Sequence, residues 1–383
     1  MGVSSANLAE RLQPLFAENF ERFGELGAAV SVWREGRSVL ELHGGFCAAR
    51  REIPWREDTL VLFWSATKGL ASASVLHLLQ ERGLGLERRV AEFWPEFAEN
   101  GKEAITLAQL LSHQAGLAAL DEPVAVTEHA AVAEALARQR PLWPPGEGHG
   151  YHARTFGFLL DELVRRIDGR TLGVYWREVF AEPLALDLWI GLPTEENART
   201  ADIYAARAGG RPEPAAFYKA LATPGTLVRQ VFGSPRGLQS ISAMNAPENR
   251  ALSLASLGGI GSARALAKFY ALLAEGGALD GRRFFSASTI AQMTTTLTAG
   301  LDRVFGIPTA FSAGFMKDAP GGGRRLFGPS PLAFGHPGAG GSHAFADPEN
   351  RLAFAYVMNQ MEPSVLPNEK SLRLVDALYR GHN

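Results

Sequence analysis

Apolar residues recur at helical spacing from residue 7 to about 23, where Leu8, Leu12, Leu15, Phe16 and Phe20 share one face and Asn7 stands in position to cap it. Two runs with β-type alternation follow, over 28–33 and 38–42, and Arg34-Glu35-Gly36-Arg37 between them predicts an antiparallel hairpin. After Pro54 an apolar run over 60–64 leads into 65–82, where Leu70, Val75, Leu78 and Leu79 keep a helical apolar face until Gly83. Ser65 thus stands at the start of a helix. Further helical patterns cover 106–112, 132–140, 156–167 and 172–180, with the turn cluster Pro144-Pro145-Gly146 among them. Over 201–250 periodicity gives way to Gly/Pro-punctuated sequence such as Gly209-Gly210-Arg211-Pro212, which predicts a long irregular segment of the functional or mobile kind. Alternation returns over 332–336, 341–346 and 352–358, with Asp347-Pro348-Glu349-Asn350 as a turn, and a last helix spans 366–379 and stops at Gly381.

This order predicts an α+β protein in which both chain ends build one antiparallel sheet flanked by helices. Residues 1–85 and 252–383 form that discontinuous sheet domain. Residues 86–251 form an inserted, mainly helical domain whose irregular part shapes a pocket.

Composition narrows the class. The chain has 383 residues, 46% hydrophobic and 20% charged, as in an ordinary globular protein with a sizeable core. Its formal charge is -2 and no Lys/Arg-rich run is present, so nucleic acid is not expected as a partner. The single cysteine, Cys47, excludes an intrachain disulfide and a CxxC metal or redox site. No stretch approaches 18 consecutive apolar residues, and the first seven residues lack a basic segment followed by an apolar one, so no membrane span and a cytoplasmic location are expected.

The sharpest chemical feature is Ser65-Ala66-Thr67-Lys68, the one Ser-x-x-Lys in the chain. On a helix, positions i and i+3 share a face, so the hydroxyl and the amine come within hydrogen-bonding reach. Burial lowers a lysine's pKa, and a neutral amine can take the serine proton. The helix N-terminus also favours negative charge developing there. The same pattern also fits a capping serine and a solvated lysine. Downstream, Tyr151 directly follows the turn-rich run from Pro144 to Gly150, and His336-Pro337-Gly338-Ala339 places small residues where a ligand could approach a strand closely. No Gly-x-Ser-x-Gly occurs, which removes support for a nucleophile elbow. His149 and His152 have no placed third partner and no HExxH beside them, so no metal is expected. Gly321-Gly322-Gly323 reads as a flexible loop and Phe63, Phe315 and Trp189 as core.

With these motifs the sequence resembles the serine β-lactamase and penicillin-binding protein superfamily, and within it the family VIII carboxylesterases. Supporting stretches are residues 107–117, Leu-Ala-Gln-Leu-Leu-Ser-His-Gln-Ala-Gly-Leu, similar to the family's LLSHTSGL segment, and residues 257–263, Leu-Gly-Gly-Ile-Gly-Ser-Ala, similar to its GGLxST segment. The resemblance runs from about residue 8 to 379 and implies a β-lactamase-like fold. It implies Ser65 as acylated nucleophile, Lys68 as its activator and Tyr151 as the proton shuttle to the leaving group. It further implies an oxyanion hole from the backbone N–H groups of Ser65 and Ala339, with Trp64, His336 and Gly338 against the substrate. His113, in the LLSHTSGL-like segment, is expected to bond backbone near the active-site helix.

Two departures bear on substrate. The family's lactamases and peptidases read Tyr-x-Asn where this chain has Tyr151-His152-Ala153, and His336 replaces their lysine. Both changes remove polar recognition of a charged amide and leave the acylation residues in place. The expected function is therefore hydrolysis of small neutral carboxylic esters through an acyl-enzyme, with a small-molecule ester as partner and no cofactor. A β-lactamase or D-amino-acid amidase or peptidase with the same residues is the alternative, and a silent binding or scaffold protein on this fold is a third reading. Oligomeric state is left open.

Overall fold

The computed structural model describes residues 5–380 apart from Arg211 and Gly322. Gly381, expected to stop the last helix, and the middle of the 321–323 glycine run lie outside the described residues. The chain opens with α1 (Ser5–Glu21), the hairpin β1 (Gly27–Arg34) and β2 (Arg37–Gly45), and α2 (Thr67–Glu81). Helices α3 (Thr155–Asp168), α4 (Ala215–Ala222) and α5 (Leu227–Gly233) belong to the central stretch, and α6 (Ala263–Ala274) follows. The remaining sheet strands are β3 (Thr298–Leu301), β4 (Pro308–Phe311), β5 (Met316–Lys317), β6 (Phe334–Pro337), β7 (His343–Asp347) and β8 (Leu352–Met358), and α7 (Glu369–Tyr379) ends the described fold.

One eight-stranded antiparallel sheet runs in the order β2-β1-β8-β7-β6-β5-β4-β3. Both chain ends meet as its second and third strands, where Ala28 pairs with Met358 and Arg34 with Leu352. The hairpin turns through Glu35 and Gly36, both with positive φ, as a two-residue connection that matches strand twist requires. Helix α6 packs on β1, β7 and β8, while α1 and α7 pack against each other. A second, three-stranded sheet joins Val61–Leu62, Gly259–Gly261 and Leu188–Ile190 just before α2. The antiparallel sheet built by both chain ends and flanked by helices, as expected from the sequence, is the one observed.

Boundaries differ where tertiary contacts decide them. The first helix already runs at Ser5, so Asn7 lies inside it and not at its cap. The last helix begins at Glu369, because Pro367 precedes it and the Asn368 side chain accepts the Lys370 N–H at 3.1 Å. Helix α2 is buried nearly all round, including Gly69, Ala71, Ser72, Ala73 and Ser74, and has no single apolar face. Small residues let neighbours close in on every side of it. The 201–250 stretch is more ordered than its punctuation suggests: it holds α4, α5 and a short helix at Pro247–Arg250. Strands β3, β4 and β5 gave no clear alternation because each has only two to four residues. No helix among the described residues is long and apolar enough to cross a membrane.

Candidate active site

Phe63 leaves the three-stranded sheet, and a 3-10 turn over Trp64–Ala66 runs straight into α2. Trp64 has φ 49°, a left-handed backbone conformation that costs a bulky residue about 1–3 kcal/mol and persists only where neighbours hold it. Here the Phe63 N–H donates to Gly259 O at 3.1 Å, and the Gly259 N–H donates to Thr67 Oγ1 at 2.8 Å. The clamp swings Ser65 to the helix start, half-buried. Lys68, one turn on, is fully buried, with Nζ 3.2 Å from Ser65 Oγ, 2.7 Å from Ala153 O and 2.9 Å from Ser256 O. Burial holds its pKa well below the usual lysine value. A neutral amine has two N–H donors, which the two carbonyls accept, so its lone pair is left facing Ser65.

Tyr151 comes from the other side. Its N–H donates to Asp302 Oδ1 at 3.2 Å, its ring stacks on Phe305 with centroids 4.6 Å apart, and the Lys68 ammonium position lies 4.8 Å from the ring centre. The Asp302 carboxylate also accepts the N–H groups of Val304 and Phe305 at 2.8 and 2.9 Å and the Thr309 hydroxyl at 3.1 Å. The loop after β3 therefore grips both the backbone and the ring of Tyr151. Burial raises the phenol above its ordinary pKa, a hydrogen bond with Ser65 pulls it back, and the Asp302 charge raises it further.

The histidines around Tyr151 serve its backbone. His113 Nδ1 accepts the His152 N–H at 3.2 Å, and its ring packs 5.1 Å from that of Tyr151. His113 thus bonds backbone, as expected, though that of the tyrosine segment. His152 Nδ1–H donates to Gly150 O at 2.7 Å and its Nε2 accepts the Leu117 N–H at 2.9 Å. His149 is held between Thr309 and Thr298, at 2.8 and 3.1 Å. Burial lowers His152 to about 4, so it is an uncharged hydrogen-bonding post at neutral pH.

The His336-Pro337-Gly338-Ala339 arm closes the site. A Cβ on Gly338 would stand 2.1 Å from Phe63 O, so only glycine lets this arm press against the turn that carries Ser65. Ser65 and Ala339 each lie in the first turn of a 3-10 helix, where backbone N–H groups have no intrahelical acceptor. His336 is buried, pushed down to about 3, with Nδ1 on Pro337 O at 2.8 Å. Its ring lies 5.9 Å from that of Tyr151.

These groups border a cavity of about 970 Å³. Trp64, Ser65 and Ala339 are in its wall, whereas His336 and Gly338 are buried beneath it. Apolar side chains dominate the rest, among them Leu120, Phe217, Tyr218, Leu221, Phe232 and Leu257. The structure therefore brings Ser65, Lys68 and Tyr151 together. It also places Arg154, Asp302 and Phe217 at the site, none of which the sequence reading named. Arg154 and Phe217 carried the signal of proximity to Tyr151 and to a Phe/Tyr pair in a helix-forming run; Asp302 carried none.

Residues 16–378 match the Beta-lactamase family, and the chain belongs to it. Among curated relatives, the Esterase/beta-lactamase LipL of Mycobacterium tuberculosis is 34% identical over 359 residues, covering 90% of this chain and 80% of that protein. Two crystal structures share the fold at 38% identity and a TM-score of 0.86. One is a family VIII carboxylesterase, with 99% of both chains covered. The other is a penicillin-binding protein homologue from Caulobacter crescentus, with 99% of this chain and 98% of that one covered.

Proposed function

We propose that the protein is a serine carboxylesterase that hydrolyses small carboxylic esters through an acyl-enzyme on Ser65. The observation that carries this reading is the contact between Ser65 Oγ and the buried, low-pKa Lys68 at 3.2 Å. The names of the esterase relatives and of the family VIII carboxylesterase support it.

Ser65 Oγ attacks the ester carbonyl while its proton passes to Lys68 Nζ. The carbonyl oxygen becomes an oxyanion toward the N–H groups of Ser65 and Ala339, donors that contribute about 3 kcal/mol each in comparable sites. The C–O bond then breaks, and the leaving alkoxide takes the proton of the Tyr151 phenol, which Lys68 resupplies. Because burial raises Tyr151 and lowers Lys68, the lysine serves as base and the tyrosine as acid. Water enters as the second nucleophile, and the same groups run in reverse to release the acid and free Ser65. Two features favour esters over β-lactams: Ala153 offers no amide to a lactam side chain, and His336 is uncharged where lactamases have a lysine. In this reading the sheet domain formed by residues 1–85 and 252–383 is the scaffold, and residues 86–251 supply most of the pocket wall.

Hydrolysis of p-nitrophenyl butyrate measured beside the cephalosporin nitrocefin, with Ser65→Ala as control, tests the proposal. Ester cleavage that exceeds nitrocefin turnover and disappears in Ser65→Ala is expected. Faster nitrocefin cleavage moves the protein to the β-lactamase reading, for which the double name of the mycobacterial relative is the supporting observation. Ester cleavage that survives Ser65→Ala sinks the nucleophile assignment.

A further inference from the structure

Buried charges in folded proteins are paired, because removing an ion from water costs several kcal/mol. The described residues contain two buried arginines, Arg154 at 5% exposure and Arg250 at 6%. Arg250 meets the rule, with Asp202 Oδ1 2.8 Å from its Nη2. Arg154 does not. Its Nη2 donates to Gly237 O at 2.6 Å, its Nε has no partner, and no carboxylate of the described residues pairs with it. Burial is the one influence on its pKa, lowered to about 10, so it keeps its charge at neutral pH.

Its position gives the unpaired charge a meaning. Arg154 directly follows Ala153, whose carbonyl holds Lys68, and it lines the same cavity as Ser65. Burial holds the Lys68 pKa well below the usual lysine value and the surrounding wall is mostly apolar, whereas Arg154 brings a full positive charge to the interior of the cavity. Asp121, Glu122, Arg229 and Arg236 also border the cavity, but they are exposed, screened by water, and not within ion-pairing distance of Arg154. An already desolvated guanidinium held by the Gly237 carbonyl is preorganised for a bidentate anion.

We propose that Arg154 is a carboxylate subsite of the substrate cavity, and that the preferred substrates are esters that carry a carboxylate in addition to the ester group. This inference rests on the esterase reading and replaces the neutral esters expected from the sequence with anionic ones. It places charge recognition at Arg154 and not at residues 153 and 336, where the lactamase pattern has it. The charge can sit on the acyl or on the alcohol side, and two substrate pairs separate these. Monoethyl adipate against ethyl hexanoate probes the acyl side, and 4-carboxyphenyl butyrate against phenyl butyrate probes the alcohol side.

For the wild type, kcat/KM should favour the carboxylated member of one pair by about tenfold or more. In Arg154→Leu that ratio should fall by at least about tenfold, and Arg154→Lys should restore part of it. A wild-type ratio near one in both pairs overturns the proposal, as does an Arg154→Leu variant that loses both members in equal proportion. Should Arg154→Leu fail to fold, inhibition of wild-type p-nitrophenyl butyrate hydrolysis decides: adipate must inhibit at lower concentration than 1,6-hexanediol, and equal inhibition refutes the subsite. Failure of the esterase reading looks different, since neither member of either pair would be cleaved in a Ser65-dependent way.

Discussion

The floor and the roof of the cavity are built on opposite principles. The floor, made of the start of α2 and the segment from His149 to Ala153, is fully buried at Lys68 and nearly so at Tyr151, and its polar atoms are committed to named partners. The roof, made of α4, α5 and the loop after them, presents aromatic side chains and is tied down at a few points. Leu120 N–H donates to Ser234 Oγ at 2.8 Å, Arg236 N–H to Val124 O at 2.8 Å and Val126 N–H to Arg236 O at 2.7 Å. The two meet where Phe217 packs 5.7 Å from Phe305, which in turn stacks on Tyr151. Proton transfer needs heavy atoms held to within tenths of an ångström, so the floor is locked by directional bonds. Selecting an acyl chain needs only area and shape, which a non-directional apolar surface provides.

The contrast breaks first at Lys68. Lys68→Met keeps most of the volume and removes the proton acceptor, so kcat should fall about 10³-fold or more. Two carbonyls, Ala153 O and Ser256 O, then lose their donor, which should lower stability by about 1–3 kcal/mol. A variant that keeps a tenth of wild-type kcat would mean that the floor does not use this amine.

Asp302→Asn asks whether the support of Tyr151 matters as much as the tyrosine. The proposed mechanism requires Lys68 neutral and Tyr151 protonated. Activity therefore rises as pH climbs through the lowered Lys68 value and falls as it climbs through the raised Tyr151 value. Since the Asp302 charge helps to raise Tyr151, the variant should draw the alkaline limb of the kcat profile to lower pH and cost roughly tenfold in kcat. An unmoved limb with reduced kcat would assign Asp302 a packing role only.

The smallest effect on rate is expected in the roof. Phe217→Ala should change kcat for p-nitrophenyl butyrate by no more than about threefold while shifting the preference toward longer acyl chains. Loss of a buried phenylalanine should still lower stability by about 3 kcal/mol, read as a drop in Tm. A large fall in kcat at this position would erase the division between floor and roof.

Much of the floor was legible because its signals are local. Helical repeat puts Ser65 and Lys68 on one face whatever surrounds them, and the Pro/Gly turn before Tyr151 marks a tyrosine delivered from a loop. The hairpin at Glu35-Gly36 and the turn at Asp347–Asn350 were legible for the same reason. The roof was not, because α4 and α5 are only eight and seven residues long and lie between Gly/Pro breaks, too short for a periodic pattern to stand out. Asp302 was invisible: it is 151 residues from the Tyr151 N–H it accepts.

Sequence alone determined that a hairpin near the start and strands near the end bracket a mainly helical middle, that Ser65 and Lys68 share one helix face, and the family to which the chain belongs. Tertiary structure alone decided that Lys68 is buried with its pKa held well below the usual lysine value, that Asp302 holds Tyr151, and that Arg154 stands in the cavity with no carboxylate of the described residues paired to it. Spacing along a helix follows from covalent geometry and is written in a few neighbouring residues. Desolvation and charge pairing depend on everything packed around a group, and that neighbourhood is assembled from segments far apart in the chain.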